Sequence, residues 1–131
     1  MATRTGRLTR PDRSGQYARQ LGWKLNSRQQ KIQHKFRLGT DRREAESRDE
    51  LLRQLWERIE AEAGQRAALW DDYTLEIAKA VARGVGRIPL PPLTEEEPAA
   101  SYAQRLQTTQ DRLPFLKFQP TDEQRYAAGI G

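Results

Sequence analysis

The sequence predicts an α+β fold in which a small two- or three-stranded antiparallel sheet packs on an amphipathic helix and is followed by a mainly helical extension. The first observation is the alternation of apolar and polar residues over 31–38, which is the side-chain period of a strand. The second is a helix-start signal at 39–41. The third is a series of apolar residues at helical spacing over 45–63, which indicates a helix with one buried face.

The predicted sheet is a basic ribbon made of residues 17–24 and 31–39, which are joined by a polar turn at 26–30. Side chains of the second strand alternate between its two faces. Ile32, His34, Phe36 and Leu38 face one way, and Lys31, Gln33, Lys35 and Arg37 face the other. One face is therefore predicted to be buried, and the other to carry a row of cations.

The first strand is predicted to have the same two faces. Tyr17, Leu21 and Trp23 share the apolar face with Arg19, while Gln16, Ala18, Gln20 and Lys24 lie opposite. Gly22 indicates a bulge or the close approach of another chain segment. Two strands alone are marginally stable, so a third strand or a helix must cover them. A third strand would come from Arg7–Thr9 or from a division of the first strand near Gly22, and the sequence leaves both open.

The junction after the second strand carries the clearest local signal. Gly39 permits a sharp turn, and Thr40 or Asp41 can cap a helix. Glu44 stands three residues after Asp41, as in a capping box, so a helix is predicted to begin near Arg42. Its apolar stripe consists of Ala45, Leu52, Leu55, Trp56, Ile59 and Ala63, with Leu51 at the margin. The stripe is predicted to pack on Ile32, Phe36, Leu38, Tyr17 and Trp23.

The remaining chain is predicted to be mainly helical. Residues 67–83 carry a second apolar stripe, which fits either one long helix with a soft point at Gly64 or two consecutive helices, and Gly84 begins a terminating turn. A further helix is predicted from about Ala99 to Arg112. The predicted organisation is a flexible basic arm (1–14), a sheet-plus-helix domain (15–63), a second helix (64–87), a Pro-rich linker (88–98) and a helical or irregular tail (99–131).

Positive charge is concentrated near the amino terminus. Residues 1–48 contain 13 Lys/Arg against 4 Asp/Glu, a net charge of +9, whereas residues 49–131 contain 10 against 14, a net charge of −4. This asymmetry is typical of a region that binds a polyanion, most often nucleic acid. The arm has an arginine at every third position, a pattern that can follow a phosphate backbone.

No catalytic, metal or cofactor site is predicted, so the chain is interpreted as non-enzymatic. It has no cysteine, which excludes disulfides, thiolate nucleophiles and zinc fingers. Its single histidine, His34, alternates with apolar residues and is interpreted as structural. There is neither a Gly-rich phosphate loop nor a metal-ligand spacing. No apolar run reaches the length of a membrane span or a signal-peptide core, so we expect a soluble, cytoplasmic protein without membrane contact.

The predicted partner is duplex DNA. The predicted contact residues are Lys24, Arg28, Lys31, Gln33, Lys35, Arg37, Arg42 and Arg43. A β-ribbon can enter the major groove, where Lys and Arg bind phosphates or guanine and Gln binds adenine. Arg42 and Arg43 stand beside a helix N-terminus, which suits a phosphate. RNA-binding sheets usually expose aromatic residues for stacking; here the aromatic residues are predicted on the face opposite the charges, which favours duplex DNA.

Several short motifs carry a resemblance to a known family. They are Gly15-Gln16-Tyr17, Leu21-Gly22-Trp23-Lys24, Lys31, His34-Lys35-Phe36, Leu38-Gly39-Thr40-Asp41 and Glu44-Ala45. Over roughly residues 15–60 the sequence resembles the amino-terminal, arm-type DNA-binding region of phage-like tyrosine recombinases, the site-specific integrases. The resemblance implies a three-stranded sheet packed on one helix, with the sheet in the major groove of arm sites. It also implies no catalysis, because the family's Arg-His-Arg-Tyr set belongs to a later domain. The chain would then be a binding portion, a truncated integrase or a product that kept only the DNA contact.

A second function class is a protein-interaction or structural module. In this alternative an aromatic helix stripe docks on a partner helix, and the basic ribbon serves only solubility. The stripe consists of Trp56, Trp70, Tyr73 and Ile77. An RNA-binding or ribosome-associated role ranks third, since basic arms with short ribbons occur there too.

Overall fold

A computed structural model describes residues 8, 11–86, 88–94 and 96–129. The described residues form an α+β fold, as predicted, with one two-stranded antiparallel sheet and four helices. The elements are β1 (Tyr17–Leu25), β2 (Lys31–Gly39), α1 (Arg42–Ala63), α2 (Asp72–Arg83), α3 (Ala99–Arg112) and α4 (Asp122–Ala127). The chain divides into two compact units, residues 1–85 and 86–131. None of the helices in the described ranges combines the length and the apolar character that crossing a membrane requires.

The β-hairpin is closed by the polar turn predicted at 26–30. Asn26 holds this turn, because its side-chain Oδ1 accepts hydrogen bonds from the backbone N–H groups of Arg28 at 2.8 Å and Gln30 at 2.9 Å. Of the two origins considered for a third strand, Arg7–Thr9 lies largely outside the described residues. The other is wrong, since β1 runs through Gly22 without dividing.

A bulge interrupts the pairing in the middle of β1. Gln20 is opposite Lys35 and Trp23 is opposite Gln33. Between these two pairs β1 has two residues and β2 has one. Gly22 has a φ of +73°, which a glycine adopts without strain. The predicted bulge and the predicted close approach are both confirmed, because a Cβ at this position would overlap Nε1 of Trp70 and lie 2.7 Å from Cε3 of Trp56.

The bulge changes which side chains face the helices. Alternation counted straight through Gly22 predicts Trp23 inward and Lys24 outward, and both expectations are wrong. One extra residue reverses the order, so Trp23 is 40% exposed and Lys24 bonds Asp72 of α2 instead. The predicted packing of α1 on Trp23 is wrong for the same reason.

The helices cover the inner face of β2 unevenly. Leu38 is 0% exposed and Phe36 is 2% exposed, but Ile32, nearest the turn, is 51% exposed. His34, between Phe36 and Ile32, is half-buried. The prediction that Ile32 packs on α1 is therefore wrong, because the helices cover less of the inner face toward the tip of the hairpin.

Helix α1 begins at Arg42, as the junction signal predicts. The carboxylate of Asp41 caps it by accepting a 2.9 Å hydrogen bond from the Glu44 N–H. The Glu44 side chain does not complete a capping box and instead lies 3.4 Å from Nη2 of Arg48. The predicted stripe is buried at Ala45, Leu52, Leu55, Trp56 and Ile59, with Ala63 and the marginal Leu51 half-buried.

The region after Gly64 forms a loop and a second helix rather than one long helix. Helix α2 starts at Asp72 instead of near Ala67, because Asp71 and Thr74 cap it reciprocally. The preceding loop places Trp70 against the sheet: its backbone N–H donates to the Trp23 carbonyl at 2.8 Å. The indole Nε1–H donates to the Leu21 carbonyl at 3.0 Å. These two bonds hold the backbone on both sides of the bulge.

A buried ion pair joins the sheet to α1. Arg19 Nε and Nη2 bond the two carboxylate oxygens of Asp49 at 2.6 and 2.8 Å. The Asp49 side chain is 3% exposed and that of Arg19 is 12% exposed. Arg53, one helical turn further, also approaches Asp49, with its Nε at 3.2 Å from Oδ2. A two-pronged pair of this kind sets the position of the ribbon on the helix as well as neutralising both charges.

The second unit is built around α3. The helix has the predicted bounds, Ala99–Arg112, and its core residues Tyr102 and Leu106 are buried, as is Leu113 just after it. The Pro-rich segment packs on this helix, because Leu90 belongs to the same core cluster and the Tyr102 hydroxyl donates to the Pro91 carbonyl at 2.8 Å.

Glu97 is expected to titrate far below an ordinary glutamate. Arg105 donates to both carboxylate oxygens at 2.7 and 2.8 Å, and this bonding, with help from Thr94, lowers the pKa of Glu97 to about 2. Because the folded pKa is depressed, the pair stabilises the unit above the ordinary pKa of 4.5 and loses that contribution as the pH falls toward 2.

The measurement is a ¹³C NMR titration of the Glu97 carboxyl group. The Arg105→Met variant should move its midpoint up toward the ordinary value, while Arg125→Met, on the same unit, should not. A wild-type midpoint near 4.5 would contradict the assignment.

Candidate nucleic-acid interface

The outward side of the hairpin, called here the outer face, consists of one row of side chains from each strand. Ala18, Gln20, Trp23 and Leu25 of β1 lie opposite Arg37, Lys35, Gln33 and Lys31 of β2, in that order. Residues directly opposite in an antiparallel pair project on the same side. All four β2 residues are exposed, so the structure brings these four predicted site residues together.

The charge of the outer face is of one sign. No Asp or Glu occurs between Asp12 and Asp41 in the sequence. Lys31, Lys35 and Arg37 form no ion pair with any residue that the structure describes, whereas cations elsewhere on the unit do, as in the pair between Arg58 and Glu62. Asp12 is close enough to interact with this row, since its pKa is lowered mainly by its hydrogen bond to Ser14 and also by the charge of Arg37, but it forms no ion pair with the row.

Trp23 is the residue of this face that sequence reasoning missed. Gly22 indicates a bulge, but the predicted alternation of faces continues past it without the one-residue shift that a bulge introduces. An indole that is 40% exposed now lies opposite Gln33 and diagonally across from Lys31 and Lys35. The expectation that the aromatic residues all avoid the charged face is wrong for this one.

Lys24 is separated from the other predicted contacts. Its Nζ lies 2.6 Å from Oδ1 of Asp72, on the side of the sheet that carries Ile32, its partner in the register. Lys24 also lowers the pKa of Asp72, mainly through this hydrogen bond. The structure thus assigns Lys24 to the contact between the hairpin and α2.

The other predicted cations lie at the two ends of the hairpin. Arg28 is exposed at the tip, where the Asn26 turn fixes its backbone. Arg42 and Arg43 are exposed at the start of α1, and Nε of Arg42 lies 3.0 Å from Oε1 of Glu46. The N-terminus of α1 already holds the carboxylate of Asp41, so a phosphate there would bind the arginine side chains rather than the helix end.

His34 is part of the support beneath the outer face. Its ring lies 4.6 Å from that of Phe36. Burial lowers its pKa, and the nearby charges of Lys79 and Lys24 lower it further. A neutral imidazole on the inner face agrees with the structural interpretation of this residue.

The aromatic stripe proposed for a partner helix also lies beneath the sheet. Trp56, Trp70 and Ile77 are buried and Tyr73 is half-buried. Trp70 packs against Trp56 at 4.9 Å and against Phe36 at 5.7 Å between ring centroids. Through these contacts the stripe packs beneath the hairpin. No observation on the described surface favours the partner-helix hypothesis, which stays a prediction.

A depression on the surface of α1 is a weak candidate for a ligand-binding site. It has a volume of about 430 Å³ and is lined by Leu8, Arg42, Glu46, Asp49, Glu50 and Arg53. Its charges pair with one another, for example Arg53 with Glu50 at 2.6 Å. No group of three or more His, Cys, Asp or Glu side chains among the described residues could hold a metal ion.

Comparison with known proteins gives no family assignment. No protein-family model matches the chain, and no significant match was found among the curated proteins or the solved structures.

Proposed function

We propose that this chain is a cytoplasmic DNA-binding protein or protein fragment that holds duplex DNA against the outer face of its hairpin, without catalysis of its own. The observation that carries the proposal is the row formed by Lys31, Lys35 and Arg37. These cations project together from one strand, and none of them forms an ion pair with a residue that the structure describes. In this respect the hairpin resembles the arm-binding region of a site-specific integrase.

The dimensions of the hairpin suit the major groove. Two strands about 4.8 Å apart, with their side chains, match a groove about 12 Å wide. Side chains at every second position are about 7 Å apart, so the β2 row can contact several successive phosphates. Phosphate contacts of this kind provide most of the affinity in DNA binding.

The support of the hairpin favours binding without rearrangement. Trp70 holds the backbone of β1 at two carbonyls, and Arg19 anchors the same strand to α1. A surface that is already ordered loses less conformational entropy when it binds. The DNA would therefore lie on a pair of strands that Trp70 and α1 already hold in place.

Duplex DNA is favoured over single strands because the outer face carries one aromatic residue. Surfaces that bind single-stranded nucleic acid stack successive bases on several aromatic side chains. Here Trp23 stands alone among cations, amides and aliphatic side chains.

The test is fluorescence anisotropy of the full chain with random-sequence duplex DNA over a salt series. Four phosphate contacts, from Arg28, Lys31, Lys35 and Arg37, would give a slope of about −3.6 in log K against log [salt]. Single-stranded DNA and RNA of the same length are measured in parallel. Absence of duplex binding at low salt would reject the proposal, and stronger binding of RNA would redirect it.

Charge reversal of the β2 row is expected to weaken binding strongly. In the triple variant Lys31→Glu, Lys35→Glu, Arg37→Glu the affinity should fall on the order of a hundredfold, and the slope should lose about 2.7, because three phosphate contacts are lost. The matched control reverses Arg58, Arg66 and Arg83, which lie off the hairpin. Equal losses in both triple variants would mean that only net charge matters.

A further inference from the structure

The register of the hairpin places Trp23 directly opposite Gln33 on the outer face. Both side chains are exposed, Trp23 to 40%. They lie between Lys31 on the turn side and Lys35 on the other. The bulge therefore brings the indole of Trp23 beside the amide of Gln33, in the middle of the row of cations.

The position of this pair is held by packing rather than by the pair itself. The Trp23 carbonyl accepts the 2.8 Å hydrogen bond from the Trp70 N–H. Gly22 is packed against Trp70 and Trp56, so a side chain at this position would force one of the two indoles to move. The backbone at Trp23 is thus fixed, and with it the face of the sheet from which the indole projects.

The two side chains have complementary chemistry for one kind of base pair. A glutamine amide offers a donor and an acceptor, which match N7 and N6 of adenine in the major groove. An apolar surface beside it can contact the C5-methyl group of thymine, which no other DNA base carries. The flanking lysines are suited to the phosphates on either side.

We propose that Trp23 and Gln33 form a base-reading pair that recognises adenine and an adjacent thymine methyl group in the major groove. This inference rests on the proposed duplex binding and adds sequence preference to it. The lysines and arginine of β2 supply affinity for any duplex, and the central pair decides which duplex binds more tightly.

The experiment compares three short alternating duplexes by anisotropy with the full chain. They are dA·dT, the same duplex with deoxyuridine in place of thymidine, and dG·dC. Wild type should bind dA·dT about tenfold more tightly than dG·dC. Removing the methyl groups should weaken binding about fourfold for each methyl contacted.

Three variants separate the contributions. Trp23→Ala should bind the thymine and uracil duplexes equally, because the group that senses the methyl is gone. Gln33→Ala should lose most of the preference over dG·dC. Ile32→Ala removes another exposed apolar side chain from the opposite face and should behave as wild type. Circular dichroism checks that each variant is folded.

The outcomes distinguish this inference from the proposed function. Salt-sensitive but equal binding of all three duplexes would overturn the reading pair and leave the proposed function standing. Absence of salt-sensitive duplex binding would overturn both. If Trp23→Ala weakened the binding of single-stranded oligo-dT more than that of the duplexes, Trp23 would be a stacking platform and the base-reading assignment would be wrong.

Discussion

Replacement of Gly22 by alanine is expected to destabilise the amino-terminal unit by about 3 kcal/mol. Two costs add. A φ of +73° is unfavourable for an L-residue by roughly 1–2 kcal/mol, and the new methyl group would overlap the indole of Trp70 and crowd that of Trp56, an overpacking that typically costs about 1–3 kcal/mol. Neither indole can retreat easily, because both are buried and in contact with each other.

Gly15→Ala is the matched control for this substitution. Gly15 also has a positive φ, +82°, but the nearest atom to a Cβ there would be Cγ2 of Thr40 at 4.0 Å, an ordinary contact. It should therefore show the backbone cost alone, roughly 1–2 kcal/mol. Chemical denaturation followed by tryptophan fluorescence measures both. Equal losses at the two positions would mean that the indoles do not constrain the bulge.

Replacement of Asp49 by asparagine is expected to cost about 3–5 kcal/mol, the usual range for breaking a buried ion pair. Arg19 would be left charged, 12% exposed in its side chain and without its two-pronged acceptor. Removing one partner of a buried pair costs more than the pair contributes, since the remaining charge keeps its desolvation penalty. Arg53 would also lose the carboxylate that lies 3.2 Å from its Nε.

Replacing both partners tests this explanation. The double variant Arg19→Met, Asp49→Leu should recover most of the lost free energy of unfolding, because the buried charge of Arg19 is removed together with that of Asp49. Asp72→Asn, which breaks the exposed pair with Lys24, should leave the free energy of unfolding nearly unchanged. If the double variant were as unstable as Asp49→Asn, the loss would come from packing and not from the charge that Asp49→Asn leaves on Arg19.

The candidate site was predictable from sequence wherever strand alternation was unbroken. Lys31, Gln33, Lys35 and Arg37 lie on one face because β2 runs through them without a bulge. The same rule failed on β1 beyond Gly22, where it assigned Trp23 and Lys24 to the wrong faces. A bulge shifts the period by one residue, so every assignment beyond it reverses.

Elements whose signals are local could be predicted from the amino-acid sequence. Asp41 caps α1 through a bond to a residue three positions away, Asn26 holds its turn across four, and the limits of α3 follow from helical spacing. Because such interactions join residues that are close in the sequence, local sequence rules can predict them. The uneven charge of the two halves of the chain is likewise a property of sequence alone.

The face on which the side chains after the bulge lie depends on tertiary contacts. That depends on Trp70, which reaches the Leu21 carbonyl from 49 positions away, and on the pairing of Arg19 with Asp49 across 30 positions. Contacts at this separation depend on how whole elements pack, which no local pattern encodes. The exposure of Trp23, and with it the central pair of the outer face, follows from that packing.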